Sequence, residues 1–463
     1  MNGMILTERI NKIEMAVNKD HKNISLRSVF LPGIILIFLF FLSCSTSRVT
    51  FDPKDLSYLY NPTKNLFYPQ YYISNRSDDI TDLSVMFPSD QLFFSEANPQ
   101  GIPLAEMLIT VKLYNISGRR MLADTAFYNL SIPKDGDRPE YVYNIPLKVS
   151  PGMKYTAEVK IVDRLRNDVV QTFVPFNTLS YNNRYNFRVL DYFSGKQVFK
   201  TVLKPDEFIN LIHLTHPPDS IYVSYYRRFT EIPDPPSMIV PERTIDYGPD
   251  TIVPLPYSDT LPLNFPNEGI YQISTGREIK EGYTLLNLGS VFPEMNTPEI
   301  MIEPLAYLTD PAELDSLFNA PDPKLALDEF WIGCGGNIER ARELIRIYYT
   351  RVLYANRYFT SYKEGWRTER GMIYIIYGPP DKVYKTTDGE DWGYRKPVIK
   401  SRWGNRYTVN EEFLYFTFRE KDSDFSDNDY YLSRNESLIT YWAQAVASWK
   451  RGIVFRLDNP ADI

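Results

Sequence analysis

Along residues 155–163, YTAEVKIVD, apolar and polar positions alternate with a period of two. This puts Tyr155, Ala157, Val159 and Ile161 on one face and Thr156, Glu158 and Lys160 on the other. The same pattern predicts half-buried strands over 105–114, 141–149 and 185–190, with turn signals at Ser117-Gly118, at 135–137 and at Pro151-Gly152. Short alternating strands with polar turns predict an antiparallel sandwich of the immunoglobulin-like kind. Beyond 190 the pattern is less regular. Strands are predicted over 221–229, 269–275 and 282–289, and the first two flank a proline-rich stretch, 232–266. Proline supplies no ladder donor, so this stretch is expected outside central sheet, as a long ordered loop or a partner-facing insertion.

The period changes near residue 310. Short helices are predicted over 311–319 and 323–331, and a longer amphipathic one over 341–359. In the longer helix Ala341, Leu344, Ile345, Tyr348, Val352, Ala355 and Phe359 form one stripe, and Asn337 is placed to cap it. Further on, MIYIIYG (372–378) reads as a buried strand, GPPD (378–381) as its turn and DKVYK as the return. EEFLYFTFRE (411–420) alternates, and GIVFRLD (452–458) reads as a last strand. The expected architecture is multi-domain and mainly β. A β-sandwich domain (44–190) and a second β-rich domain with the proline-rich loop (191–309) are followed by a helical segment (310–360) and a C-terminal α+β domain (361–463). The two β domains could equally be parts of one larger structure.

The strongest regional signal is VFLPGIILIFLFFL (29–42), preceded by Lys19, Lys22 and Arg27. Fourteen apolar residues fall short of the roughly 20 a bilayer-spanning helix wants, but suit the core of an export signal. The stretch LFFLSC, ending at Cys44, resembles the lipobox of bacterial lipoproteins. That resemblance makes 1–43 a signal peptide and Cys44 the acylated first residue of the mature chain, anchored in a membrane. The alternative is a signal anchor with an incidental cysteine.

Composition narrows the function classes. The 463-residue chain has a net charge of -7, and removing 1–43 takes away five basic and three acidic side chains and leaves -9. That balance disfavours nucleic acid or an anionic membrane face as principal partner. After Cys44 the only cysteine is Cys334, and the histidines are His21, His213 and His216. A lone thiol builds neither an internal disulfide nor a cysteine-based zinc site, so Cys334 is expected to be structural.

The densest passage is KEGWRTERGMIYIIYGPPDKVY (363–384). Gly365, Trp366, Thr368, Glu369, Arg370 and Gly371, followed by Tyr374, Gly378, Pro379, Pro380 and Asp381, resemble the GWxTD domain of secreted and lipid-anchored proteins of the Bacteroidetes and related bacteria. The resemblance covers roughly 320–420, including the helix ahead of the motif. It departs at Glu369, where the family has Asp, and it implies no activity. The added methylene weakly favours structure over chemistry. Trp366 is expected to lock the turn with its indole N–H partnered, Thr368 and Glu369 to satisfy backbone donors or pair with Arg367 or Arg370, and Gly371 to allow close approach.

Other readings stay open. Glu364, Glu369 and Asp381 could serve a glycan hydrolase. DSDFSDND (422–429) is a surface loop or a weak calcium site. Trp392, Tyr394, Trp403 and Tyr407 either stack on sugars, or anchor a protein interface, or fold back over a small core. The triplets at 124–126, 250–252 and 259–261 resemble short O-glycosylation signals of these bacteria. The leading expectation is a non-enzymatic lipoprotein of the outer membrane, facing the periplasm, that serves as scaffold or adaptor for an envelope protein, with no cofactor or metal. The alternatives are a carbohydrate-binding lipoprotein and a hydrolase using Glu369 and Asp381.

Overall fold

In the computed structural model the described residues are 54–64, 67–96, 101–236, 238, 248–386, 388–396, 399–403, 406–410, 412–435 and 437–458, with backbone alone for 399–403, 406–410 and 437. The alternating segments near the start build seven strands: β1 (Gln70–Asn75), β2 (Ile80–Pro88), β3 (Leu104–Asn115), β4 (Met121–Pro133), β5 (Glu140–Lys148), β6 (Lys154–Asp163) and β7 (Asp168–Asn177). They form two antiparallel sheets, β1-β2-β5 and β4-β3-β6-β7, the strand order of an immunoglobulin-type sandwich. Ala157, Val159 and Ile161 of β6 point inward with Ile109 and Val111 of β3, against Leu83 and Val85 of β2.

A second lobe follows: β8 (Phe187–Asp191), β9 (Phe208–His213), β10 (Ser220–Tyr226), β11 (Thr251–Pro256), β12 (Leu263–Asn264), β13 (Gly269–Ser274) and β14 (Tyr283–Asn287). Its sheets, β12-β9-β8 and β11-β10-β13-β14, close over Val189, Leu211, Ile221, Ile273 and Leu285. The strand expected at the end of the first domain is β8, which pairs with β9 and belongs to this second lobe. The proline-rich stretch contributes β11 and β12, each at the edge of its sheet, where a missing donor is tolerated. Residues 237 and 239–247 of that stretch lie outside the described residues.

The third lobe opens with α1 (Pro298–Ile302), α2 (Pro311–Phe318), α3 (Pro323–Gly335) and α4 (Ile338–Phe359). Asp310, Asp322 and Asn337 each accept a first-turn backbone N–H, and a proline follows the first two, so each start is signalled locally. Ala341, Leu344, Tyr348, Val352, Ala355 and Phe359 of α4 are all buried, along the expected stripe.

Two expectations fail here. MIYIIYG is not a strand: it lies in α5 (Glu369–Tyr377), started by Thr368, whose hydroxyl accepts the Gly371 N–H, and ended at Gly378. Every residue from Arg370 to Tyr377 is buried, so no polar face marks a helical period, and nine residues suit strand and helix alike. GIVFRLD is not a strand either. It is irregular chain after α6 (Ser437–Lys450) that inserts Phe455 and Leu457 into the core.

Against these helices packs the sheet β15-β16-β19-β20, built from β15 (Lys382–Lys385), β16 (Gly389–Arg395), β19 (Phe413–Glu420) and β20 (Tyr430–Leu432), with β17 (Ile399–Trp403) and β18 (Arg406–Asn410) as a hairpin between them. On β19, Leu414, Phe416 and Phe418 are buried while Tyr415 is exposed, so one face is covered well and the other only in part. The described fold is thus mainly β, with a helical segment and a C-terminal α+β region. Segment 54–60 joins its ends: Leu56 donates to Val383 O at 2.8 Å, and the Tyr58 hydroxyl bonds the backbone of Gln171 on β7.

Candidate functional site

The motif residues sit where α4 ends and α5 begins. Gly365 starts a single 3-10 turn, Gly365–Arg367, pressed so close to α4 that a Cβ there would lie 1.9 Å from Ala355 O. Gly371 is pressed equally hard against that turn: a Cβ would lie 1.9 Å from Gly365 O. These two contacts explain both glycines by close backbone approach. Trp366 is buried between them. Its backbone N–H donates to Asn356 Oδ1 at 3.0 Å, its carbonyl accepts the Tyr307 hydroxyl at 2.7 Å, and the Arg367 guanidinium lies 4.2 Å from its ring centre. The expected partner for the indole N–H is missing among the described residues, so Trp366 holds by packing and cation–π contact.

Each motif carboxylate has its own structural partner. Glu369 receives Arg434 Nη2 at 2.9 Å and Nη1 at 3.2 Å, and also the backbone N–H of Leu432. It therefore ties α5 to the end of β20 by satisfying a backbone donor, one of its two expected roles, and its ion pair is with Arg434 rather than Arg367 or Arg370. Glu364, almost fully buried, meets Arg228 of the second lobe and Arg367 Nε at 3.1 Å. Asp381 lies exposed and accepts Arg395 N–H at 2.8 Å, closing the turn after Gly378, Pro379 and Pro380. Gly378 adopts a φ of 84° and its carbonyl accepts the Tyr394 hydroxyl at 2.8 Å. Nearby, half-buried Arg351 donates to the carbonyls of Ile375 and Ile376 at 2.8 and 3.0 Å, capping α5; desolvation pulls its pKa down to about 10.

Arg370 leads to a buried polar cluster. Its guanidinium stacks 3.7 Å from the Tyr430 ring centre, donates to Asn428 O at 3.1 Å and lies 3.7 Å from Glu390 Oε2. Glu390 also accepts the Tyr60 hydroxyl at 2.9 and 3.0 Å and Trp392 Nε1 at 3.0 Å. Burial alone would raise the Glu390 pKa, but Arg370, Lys385 and these two donors outweigh it and hold the carboxyl below its ordinary range. Lys385 completes the group, 2.9 Å from both Glu420 Oε1 and the Tyr430 hydroxyl.

This cluster borders a cavity of about 1110 Å³ where all three lobes meet. Tyr68 and Tyr71 come from the first lobe, Lys200 and Lys204 from the second, and Tyr354, Arg357, Tyr358 and Arg370 from the third. The hydroxyls of Tyr68, Tyr71 and Tyr358 are shielded in the cavity wall; those of Tyr68 and Tyr358 lie within reach of each other, whereas Tyr71 has no hydrogen-bond partner among the described residues. A shielded hydroxyl left without a partner costs about 1–3 kcal/mol, which a water or other guest in the cavity would relieve at Tyr71.

The remaining expectations sort unevenly. Trp392 and Tyr394 lie on β16 and are buried in the third core, so their rings are closed to sugar or partner: they fold back over the core. Trp403 and Tyr407 lie on the β17–β18 hairpin as strand partners of Arg406 and Arg402, with their side chains outside the described residues; Cys44 is outside them altogether. The 422–429 loop is not a free surface loop. Asp427 accepts the Tyr185 hydroxyl at 2.8 Å and Ser423 O accepts Arg184 Nη2 at 3.0 Å, which straps the loop to the β lobes, while Asn428 donates to Tyr358 O and Thr360 O within the third lobe. No carboxylate, histidine or cysteine group suited to a metal occurs among the described residues. Cys334 is free and half-buried, and burial raises its thiol pKa.

Sequence reading missed Glu390, Tyr60, Asn428, Tyr430 and Arg434. Only Glu390, two positions before Trp392 on an alternating strand and so on the same face, left a readable signal. No described helix is long and apolar enough to cross a membrane.

Residues 269–451 match the family model of the GWxTD domain. No match was found among the curated proteins. Among solved structures, similarity is reported to a glycosyl hydrolase family 2 member from Bacteroides cellulosilyticus DSM 14838, with a TM-score of 0.19, 7% identity, 31% of this chain and 19% of that one. A putative beta-galactosidase from Bacteroides fragilis gives a TM-score of 0.16 and 12% identity over 30% and 20%. The chain thus spans about a fifth of the length of either, and so distant a likeness carries no functional argument.

Proposed function

We propose that this chain, whose residues 269–451 form a GWxTD domain, is a non-enzymatic lipoprotein that serves as a scaffold or adaptor at the periplasmic face of the outer membrane. The observation that carries the reading is the commitment of the motif. Glu364 and Glu369 are bound in ion pairs, Asp381 closes a turn, Thr368 caps α5, and both tight glycines are filled against backbone. A motif so engaged stiffens the third lobe and fixes it to Arg228 of the second. This favours a structural part over the hydrolase using Glu369 and Asp381.

Two further features support an anchored adaptor. Nine residues lie between Cys44 and Lys54, a reach of at most about 35 Å, so an acyl anchor at Cys44 would tether the body close to the membrane. Asp55, Leu56 and Tyr60 bond into the third lobe, so a pull on the anchor is transmitted to the GWxTD domain. On the second lobe, Tyr192, Phe193 and Phe208 stack edge to face while 43%, 77% and 37% exposed, an aromatic anchor of the kind a protein partner buries.

Crosslinked affinity purification from native membranes tests this, using the intact protein and a Cys44→Ala variant. A reproducible envelope protein recovered with the first and lost with the second is expected. Recovery of the intact protein alone, despite correct membrane fractionation, would count against the reading.

A further inference from the structure

The cavity where the lobes meet is at odds with the rest of the molecule. The chain carries a net charge of -7, yet the cavity is lined by six basic side chains and only two acidic ones, Glu390 and Asp427. Arg184, Arg370 and Lys385 face carboxylates inside the fold, which leaves the mouth to Lys200, Lys204 and Arg357, all exposed. Lys200 is held by Glu207 at 2.5 Å, whereas Arg357 lies 4.0 Å from Glu294, a weak and solvated pair, and over the Tyr354 ring at 5.7 Å. The wall is rich in tyrosine; the Tyr71 hydroxyl has no partner among the described residues, and those of Tyr68 and Tyr358 reach each other.

These features select a ligand chemistry. An acyl chain would leave the Tyr71 hydroxyl unsatisfied and offer nothing to Tyr68 and Tyr358, because hydrocarbon neither donates nor accepts. A sugar offers hydroxyls that do both, and its C–H faces pack on phenol rings. Burial raises the pKa of Tyr71 and Tyr358, so both stay neutral O–H groups able to donate and accept. A cationic mouth on an acidic protein calls for a negative charge on the guest. The volume, about 1110 Å³, exceeds the need of one monosaccharide and suits a short oligomer.

We propose that this cavity binds a short acidic saccharide, its hydroxyls meeting Tyr68, Tyr71 and Tyr358 and its acid groups meeting Lys204 and Arg357. The site stands on the cavity alone and does not depend on the adaptor reading, since loss of a protein partner leaves it intact.

The test is titration calorimetry of the full-length protein in detergent with oligomers of galacturonic, glucuronic and sialic acid. Methyl esters of the same oligomers serve as uncharged controls. One acidic oligomer is expected to bind, and its ester at least tenfold more weakly. The Tyr71→Phe variant should bind at least tenfold more weakly while its melting temperature stays level or rises, because phenylalanine leaves no unsatisfied hydroxyl there. Lys204→Gln/Arg357→Gln should weaken the acid and leave the ester unaffected. Absence of binding by every oligomer, equal binding of acid and ester, or unchanged affinity in the tyrosine variant would each overturn the proposal.

Discussion

Replacing Glu369 by alanine separates a structural motif from a catalytic one, because it removes the contacts tying α5 to the strand end at Leu432. Three hydrogen bonds disappear: two from Arg434 at 2.9 and 3.2 Å and one from the backbone of buried Leu432. Bonds to a charged group contribute about 1.5–3 kcal/mol, and a buried donor left bare costs about 1–3 kcal/mol. The full sum is not expected. Arg434 is 13% exposed and keeps a bond to Asp234 O at 3.0 Å, so water and that carbonyl recover part of the loss. Glu369→Ala should therefore destabilise the third lobe by about 3 kcal/mol, and Glu369→Gln, which keeps an acceptor, by about 1–2 kcal/mol. Glu369→Asp, the family's own residue, withdraws the carboxylate by about 1.5 Å, one carbon–carbon bond, and should fall between them. All six tryptophans lie between Trp331 and Trp449, so fluorescence during urea unfolding reports this lobe rather than the sandwiches. With a slope near 2 kcal/mol/M, a 3 kcal/mol loss lowers the midpoint by about 1.5 M. A midpoint unmoved in the alanine variant would refute the structural account of Glu369.

Gly371→Ala puts a Cβ 1.9 Å from Gly365 O, against backbone that cannot yield, so a loss above about 4 kcal/mol and little soluble protein are expected. Gly118→Ala, in open space, should express normally in the same trial. Tyr60→Phe keeps the ring against Trp392 but removes the donor to Glu390, and should cost about 1.5–3 kcal/mol by the same urea assay. The pH dependence follows from Glu390. Its folded pKa lies below the ordinary value of 4.5, so its contribution is present above that value and lost as pH falls through the depressed one. Glu390→Gln should flatten the midpoint against pH below about 4.5 while lowering stability at neutral pH; an unchanged acid profile would contradict this.

Much of the fold was legible where a periodic pattern met a one-sided environment. The sandwich strands alternate because one face of each sheet is buried, and α4 shows its stripe because its other side is wet. Legibility ended where burial became two-sided. The α5 run, apolar on nearly every position, hides its helix, and only the Thr368 cap and the Gly378 stop distinguish it from a strand. The helix α6 was within reach: Leu438, Trp442, Ala445 and Trp449 recur at spacings of three and four, and all are buried. Of the candidate site, the motif residues were visible as a cluster but not their partners. Arg434 and Asn428 lie 65 and 58 residues beyond Glu369 and Arg370, the motif residues they bind, and meet them only in the folded lobe. The tyrosines of the cavity could not be found from sequence, because Tyr68 and Tyr358 stand 290 residues apart and each reads locally as core.

The most direct measurement for the adaptor reading is a photo-crosslinking residue at Phe193, in the intact chain in native membranes, compared with one at Phe318, which is exposed on α2. The account predicts an envelope protein crosslinked at 193, absent at 318, and lost with Cys44→Ala. Equal labelling at both positions, or none at 193 in a correctly anchored protein, would contradict it.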